Sequence, residues 1–105
     1  MSQNATPDRK WFFYIVRCRD DSLYSGITVD LERRLKEHNT GTGAKYTATR
    51  RPVTLVYCES YDNVSKARKR EALVKRWSKA EKESLVAGSP GSVRNKRIPP
   101  PPPEA

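Results

Sequence analysis

The chain has 105 residues, of which 21 are Lys or Arg and 12 are Asp or Glu, for a formal net charge of +9. Hydrophobic residues make up 35% and charged residues 31%, which gives room for one domain with a small core. The longest apolar run, residues 11–16, is far too short to span a bilayer. Residues 1–8 lack the apolar stretch of a secretory signal, and Cys18 and Cys58 form neither a CxxC pair nor a disulfide framework.

Residues 1–8 read as a loose leader. Residues 9–87 carry the periodic hydrophobicity of a folded domain. Residues 88–105 read as a disordered tail, with Arg94, Lys96 and Arg97 ahead of a proline run that favours polyproline II. Within the domain, residues 11–18 are aromatic and β-branched, the signature of a strand buried on both faces. Asp20-Asp21-Ser22 is turn chemistry, and residues 23–28 resume a β pattern, so the two segments form a hairpin. Asp30 caps a helix over 31–39 that Gly41 closes. Residues 40–52 form a basic, glycine-containing loop, and 53–58 a third strand that Pro52 leads into. Asn63 or Ser65 caps a second helix to about residue 76, and Ser78 a third to about 86. The order ββαβαα predicts an α/β fold: a small three-stranded, antiparallel-containing sheet flanked by helices.

The setting expected for such a chain is cytoplasmic, with Cys18 and Cys58 reduced and buried. The clustered positive charge points to a polyanion: DNA, RNA or an anionic surface.

Several polar residues fall where apolar ones belong. At about 100° per residue, Leu31, Arg34, Leu35 and His38 share one arc of the first helix. Leu31 and Leu35 must face the sheet, so Arg34 and His38 stand on the sheet side, near the rim of the core. A guanidinium and an imidazole one turn apart can clamp an oxyanion or phosphate; the plain alternative is a snorkelling Arg and a packed His. On the second helix, Val64, Ala67, Leu73, Val74 and Trp77 define an apolar arc with Glu71 inside it. That carboxylate requires compensation, either by an ion pair with Arg34 or by a hard cation. Tyr14 and Tyr24 sit within strands, and Gly26 inside a strand marks a close approach.

Together, the Tyr14 of Phe12-Phe13-Tyr14, the Tyr24-Ser25-Gly26 triplet, Arg34 with His38 four residues on, and the later Glu71 resemble the GIY-YIG nuclease family, in its small single-domain bacterial branch. Phe12 and Phe13 replace the Gly and Ile of the first motif, and Ser25 the Ile of the second. The resemblance covers roughly residues 10–86 and implies metal-dependent phosphodiester hydrolysis. Tyr14, Tyr24, Arg34, His38 and Glu71 would be its catalytic residues, with Glu71 holding a single Mg²⁺ or Mn²⁺. Tyr14 would orient or deprotonate the attacking water, which suits a free phenol of pKa about 10 only if nearby cations lower that value. Arg34 would neutralise transition-state charge.

Substrate grip would come from Lys45, Arg50 and Arg51 in the loop and from the second helix, including Lys66 and Arg70. Such contacts to phosphate carry no base information. Cleavage at a nucleic-acid structure rather than a sequence is therefore the expectation, with DNA ahead of RNA and no membrane partner. A non-catalytic basic nucleic-acid-binding module is the alternative, and the proline tail offers a protein partner a docking segment.

A shared site also constrains the hairpin. A two-residue turn at Asp20-Asp21 would point Tyr14 and Tyr24 to opposite faces, so the site requires an odd loop length or a bulge.

Overall fold

The computed structural model describes residues 10–88. The leader and the tail beyond Gly88 lie outside the described residues. The elements are β1 (Trp11–Arg17), β2 (Leu23–Thr28), α1 (Leu31–Thr40), α2 (Lys45–Ala48), β3 (Thr54–Tyr61), α3 (Val64–Lys75) and α4 (Lys79–Gly88). The sheet is antiparallel throughout, in the order β2-β1-β3.

The central strand β1 is covered on both sides, as its unbroken apolar sequence predicts. Phe13, Tyr14, Ile15 and Val16 are all buried. Phe13 and Ile15 pack with Tyr57, Val74 and Val86, against which Trp77 and Leu85 rest. Tyr14 and Val16 pack with Cys18 and Val53 and meet Leu31 and Leu35 of α1. The sheet is thus the middle layer, with α1 on one face and α3 and α4 on the other. A bulge in β3 opposite Ile15 and Val16 adds one residue and shifts the pairing.

The caps follow local side-chain chemistry. Asp30 accepts from the Arg33 N–H (3.1 Å), and Gly41 closes α1 with a left-handed φ of 92°. Asn63, not Ser65, caps α3 by accepting from the Lys66 N–H (2.9 Å). Ser78 and Glu81 form a reciprocal box at α4: Ser78 Oγ accepts from the Glu81 N–H and Glu81 accepts from the Ser78 N–H.

Three expectations need correction. The basic loop contains α2, a single helical turn too short to show a period in sequence. Strand β3 continues to Tyr61, beyond the expected end at residue 58, because Glu59 is satisfied where it sits. Tyr57 and Tyr61 donate to its carboxylate and Arg70 grips it through Nε and Nη2. Burial works against that charge, but these bonds outweigh it and hold the Glu59 pKa below the usual range. Leu73, assigned to the apolar arc of α3, is 47% exposed, whereas Ala67 and Val74 make the buried seam.

Candidate active site

The hairpin places Tyr14 and Tyr24 on one face. Tyr14 pairs with Gly26 and Val16 with Tyr24, and residues two apart on a strand share a face. The connection between the strands is residues 18–22, an odd length. Within it the Cys18 N–H bonds the Ser22 carbonyl (2.8 Å) and Asp21 adopts a left-handed φ of 73°.

Helix α1 delivers Arg34 and His38 to that same face. His38 is fully buried, and its Nε2 lies 2.8 Å from the Tyr14 hydroxyl. The Tyr24 ring meets the imidazole edge-on, with centroids 5.4 Å apart. Arg34 Nε donates to the Tyr14 oxygen (3.4 Å), Nη1 to Glu37 (2.9 Å) and Nη2 to the Gly43 carbonyl (3.0 Å). The Arg34–Glu71 ion pair considered from sequence does not form, because Glu37 is one turn away on the same helix. Glu71 pairs instead with Lys75 at 3.1 Å, and the Lys75 ammonium stands 5.7 Å from the Tyr24 ring centre. Glu71 is close enough that its charge acts on Tyr14. The five expected residues therefore form one neighbourhood: four share the α1 face, and α3 supplies Glu71.

The electrostatics bear on the condition set for Tyr14 as a base. Burial raises the Tyr14 pKa above its ordinary 10, and the Arg34 guanidinium only partly offsets this. Tyr14 is therefore a neutral phenol at neutral pH, not a phenolate activated by cations. Burial, followed by the charge of Arg34, pushes the His38 pKa below its ordinary 6.5, so the imidazole is neutral as well.

Sequence reasoning missed α2 and its side chains. Thr47 is buried, with its hydroxyl 2.8 Å from His38 Nδ1. Tyr46 stacks on Tyr24 with the rings 20° apart, and Arg50 Cζ lies 3.9 Å from the Tyr46 ring centre. A one-turn segment with no side-chain cap carries no signal that would have singled these residues out.

The basic residues divide by partner. Arg70 is held by Glu59, and Arg50 is paired with Asp20 at 3.1 Å. Lys45 and Lys66 are exposed and make no ion pair among the described residues. Arg51 donates to the Ala48 carbonyl (2.8 Å) and has no carboxylate partner among them. Arg19, Asn39, Thr49 and Arg51 line an open cavity of about 610 Å³.

Glu71 is the carboxylate that the resemblance assigns to a cation. No group of three or more His, Cys, Asp or Glu converges on a metal position among the described residues. One half-buried carboxylate, already bonded to the Lys75 ammonium, suits a hard divalent ion that keeps most of its water ligands. The donor set fits Mg²⁺ or Mn²⁺ and not a structural zinc.

With this geometry in place, the sequence comparison is decisive: residues 10–84 match the GIY-YIG catalytic domain. The chain belongs to the GIY-YIG family. It is 51% identical over 82 residues to a UPF0213 protein of Syntrophus aciditrophicus, covering 77% of this chain and 94% of that one. It is 50% identical over 78 residues to UPF0213 protein SSP2268 of Staphylococcus saprophyticus, covering 74% and 95%. Among solved structures, it is similar to the solution NMR structure of protein EF2693 from E. faecalis, with 46% identity and a TM-score of 0.53 over 73% of this chain and 82% of that one. The GIY-YIG domain is a nuclease domain, and nucleic acid is the substrate class that membership implies. No helix among the described residues is long and apolar enough to cross a membrane.

Proposed function

We propose that this GIY-YIG protein is a metal-dependent endonuclease that hydrolyses phosphodiester bonds at structural features of nucleic acid, DNA ahead of RNA, in a cytoplasmic setting. The observation that carries this reading is the contact of the Tyr14 hydroxyl with both Arg34 Nε and His38 Nε2. Tyr14 accepts a hydrogen bond from the attacking water. As the water oxygen forms its bond to phosphorus, the bond from phosphorus to the departing oxygen breaks and that oxygen takes a proton from solvent, while Tyr14 takes the water proton and passes its own to His38 Nε2. A neutral phenol with a raised pKa is a poor base alone, and the neutral imidazole 2.8 Å away supplies the missing acceptor.

Arg34 uses three of its five N–H groups on Tyr14, Glu37 and Gly43. The remaining two are free to bond a phosphate oxygen whose charge grows in the transition state. Glu71 would hold one Mg²⁺ or Mn²⁺, which when bound neutralises charge on the phosphate and the departing oxygen. Tyr24 fixes the imidazole edge-on. Lys45, Lys66, Arg51 and Arg19 would contact phosphates away from the cut. Arg50 and Arg70, drawn into ion pairs, contribute less. The tail beyond Gly88 would offer a segment to a protein partner.

The experiment is a cleavage assay on single-stranded, duplex, flapped and branched nucleic acids, with Mg²⁺, Mn²⁺ or chelator. Wild type should cut one branched or flapped form with metal only, and Glu71→Gln should bind but not cut. Binding without cleavage by wild type under every metal would instead establish the non-catalytic binding module. That reading is favoured by one observation, the Lys75 ammonium seated on the Glu71 carboxylate.

A further inference from the structure

We infer that Thr47 is a positioning residue for this site: its hydroxyl holds His38 in the tautomer that carries its proton on Nδ1. Nε2 is then left as the acceptor that Tyr14 needs. The inference rests on the reading of Tyr14 and His38 as the proton-transfer pair.

The assignment follows from counting donors and acceptors along one buried chain of hydrogen bonds. Neutral imidazole has one N–H and one bare nitrogen, and a hydroxyl has one proton. Thr47 Oγ1 lies 3.2 Å from the Ala44 carbonyl, to which it donates, and 2.8 Å from His38 Nδ1. With its proton on Ala44, Thr47 must accept from His38 Nδ1–H. His38 Nε2 is then bare and accepts from the Tyr14 hydroxyl at 2.8 Å. The Tyr14 oxygen accepts in turn from Arg34 Nε at 3.4 Å and keeps one lone pair for a water.

The reverse direction fails. If Thr47 donated to Nδ1, Nε2–H would point at Tyr14. The Tyr14 oxygen would then face two donors, Nε2–H and Arg34 Nε–H. Both lone pairs of that oxygen would be occupied, its own proton would find no protein acceptor among the described residues in a side chain only 1% exposed, and none of its lone pairs would be left to take a proton from the attacking water. Buried hydroxyl protons are rarely left unbonded.

The surroundings leave Thr47 no easy substitute. A Cβ on Gly43 would stand 2.6 Å from His38 Nδ1 and 2.8 Å from its Cα, so the chain entering α2 lies directly against the histidine. Arg34 Nη2 ties the same Gly43 carbonyl at 3.0 Å. The short α2 turn, which ordinary helix patterns do not reveal, thus sets the imidazole's orientation as well as its protonated nitrogen, much as outer-shell partners do for ligating histidines.

His38 is the only histidine in the chain, so its tautomer can be read without assignment by long-range ¹H–¹⁵N NMR of the uniformly labelled full chain. Spectra taken well above the ordinary histidine pKa of 6.5 report the neutral ring. Wild type should show protonated Nδ1 and bare Nε2. Thr47→Val, close in shape but lacking the hydroxyl, should show a mixed or reversed tautomer and a kcat lowered by about 10–100-fold, the range seen for lost outer-shell partners. Thr47→Ser should restore both. Should Thr47→Val fail to fold, the wild-type and Thr47→Ser spectra still decide the matter. Protonated Nε2 in wild type overturns the inference, as does Thr47→Val with an unchanged tautomer and rate. An Nδ1–H tautomer in a wild type that never cleaves overturns the nuclease reading and leaves the role of Thr47 in orienting His38 standing.

Discussion

The Tyr14 hydroxyl oxygen lies 2.6 Å from where a Cβ on Gly26 would stand. The phenol therefore crosses over the glycine of the neighbouring strand, which is the physical need behind a glycine two residues after Tyr24. Gly26→Ala must displace Tyr14, whose ring is buried against α1. The expected cost is about 1–3 kcal/mol of stability from overpacking, together with loss of nearly all cleavage. Thermal melts and single-turnover rates on the same preparation check it. Full activity with a lowered melting temperature would show that the Tyr14 position is not demanding.

Lys75 competes with any cation for Glu71, which it meets at 3.1 Å. Replacing it by Met removes a positive charge and frees the carboxylate. The Mg²⁺ concentration for half-maximal cleavage should fall several-fold, while stability changes by no more than about 1 kcal/mol, as for exposed ion pairs. A metal titration checks this, and an unchanged or raised requirement would assign Lys75 a positive role in substrate contact.

The His38 pKa is depressed by burial and then by Arg34, from an unfolded value near 6.5. In the window between the folded value and 6.5, the unfolded chain binds more protons than the native one, so stability rises with pH there. Stability from this residue is complete above pH 6.5 and is lost as pH falls through the folded pKa. Denaturant melts across this range should show the loss, and His38→Gln should flatten it. A wild-type curve that stays level below pH 6.5 counts against a buried neutral imidazole.

The cavity that holds Arg19 and Arg51 should contact phosphate. Binding should weaken steeply with salt, since each neutralised phosphate releases counterions. Arg19→Ala and Arg51→Ala should each reduce the log–log slope by about 1. Arg70→Ala should leave the slope nearly unchanged and instead destabilise the fold, because it strips Glu59 of its partner. Equal slopes for all three variants would remove the cavity from the binding surface.

Much of this arrangement was legible in the chain. Caps at Asp30, Asn63 and Ser78 announced three helices, and the scarcity of apolar residues in α1 forced Arg34 and His38 toward the sheet. Parity along the strands required an odd turn or a bulge, and the turn is odd. Other parts depend on tertiary contacts that sequence spacing does not carry. Arg34 had two acids within reach in principle, and the nearer Glu37 won. Leu73 lies about 100° around the helix from Val74, enough to carry it out of the seam. The Tyr14 pKa is set by how far burial outweighs one guanidinium, a balance that needs coordinates. Thr47 and Tyr46 belong to a single turn, which has no period to detect.

The five residues between β1 and β2 also limit how this hairpin can change length. Adding or removing one residue, with the strand pairing otherwise regular, would turn β2 inside out: Tyr24 would leave the α1 face, and the side chain of Ser25 or Leu23 would enter it. Changes of two residues keep the faces. Length variants made at this turn should therefore fall into two populations, active for even changes and inactive for odd ones. An insertion series between Arg19 and Ser22 would map function onto the arithmetic of the strand.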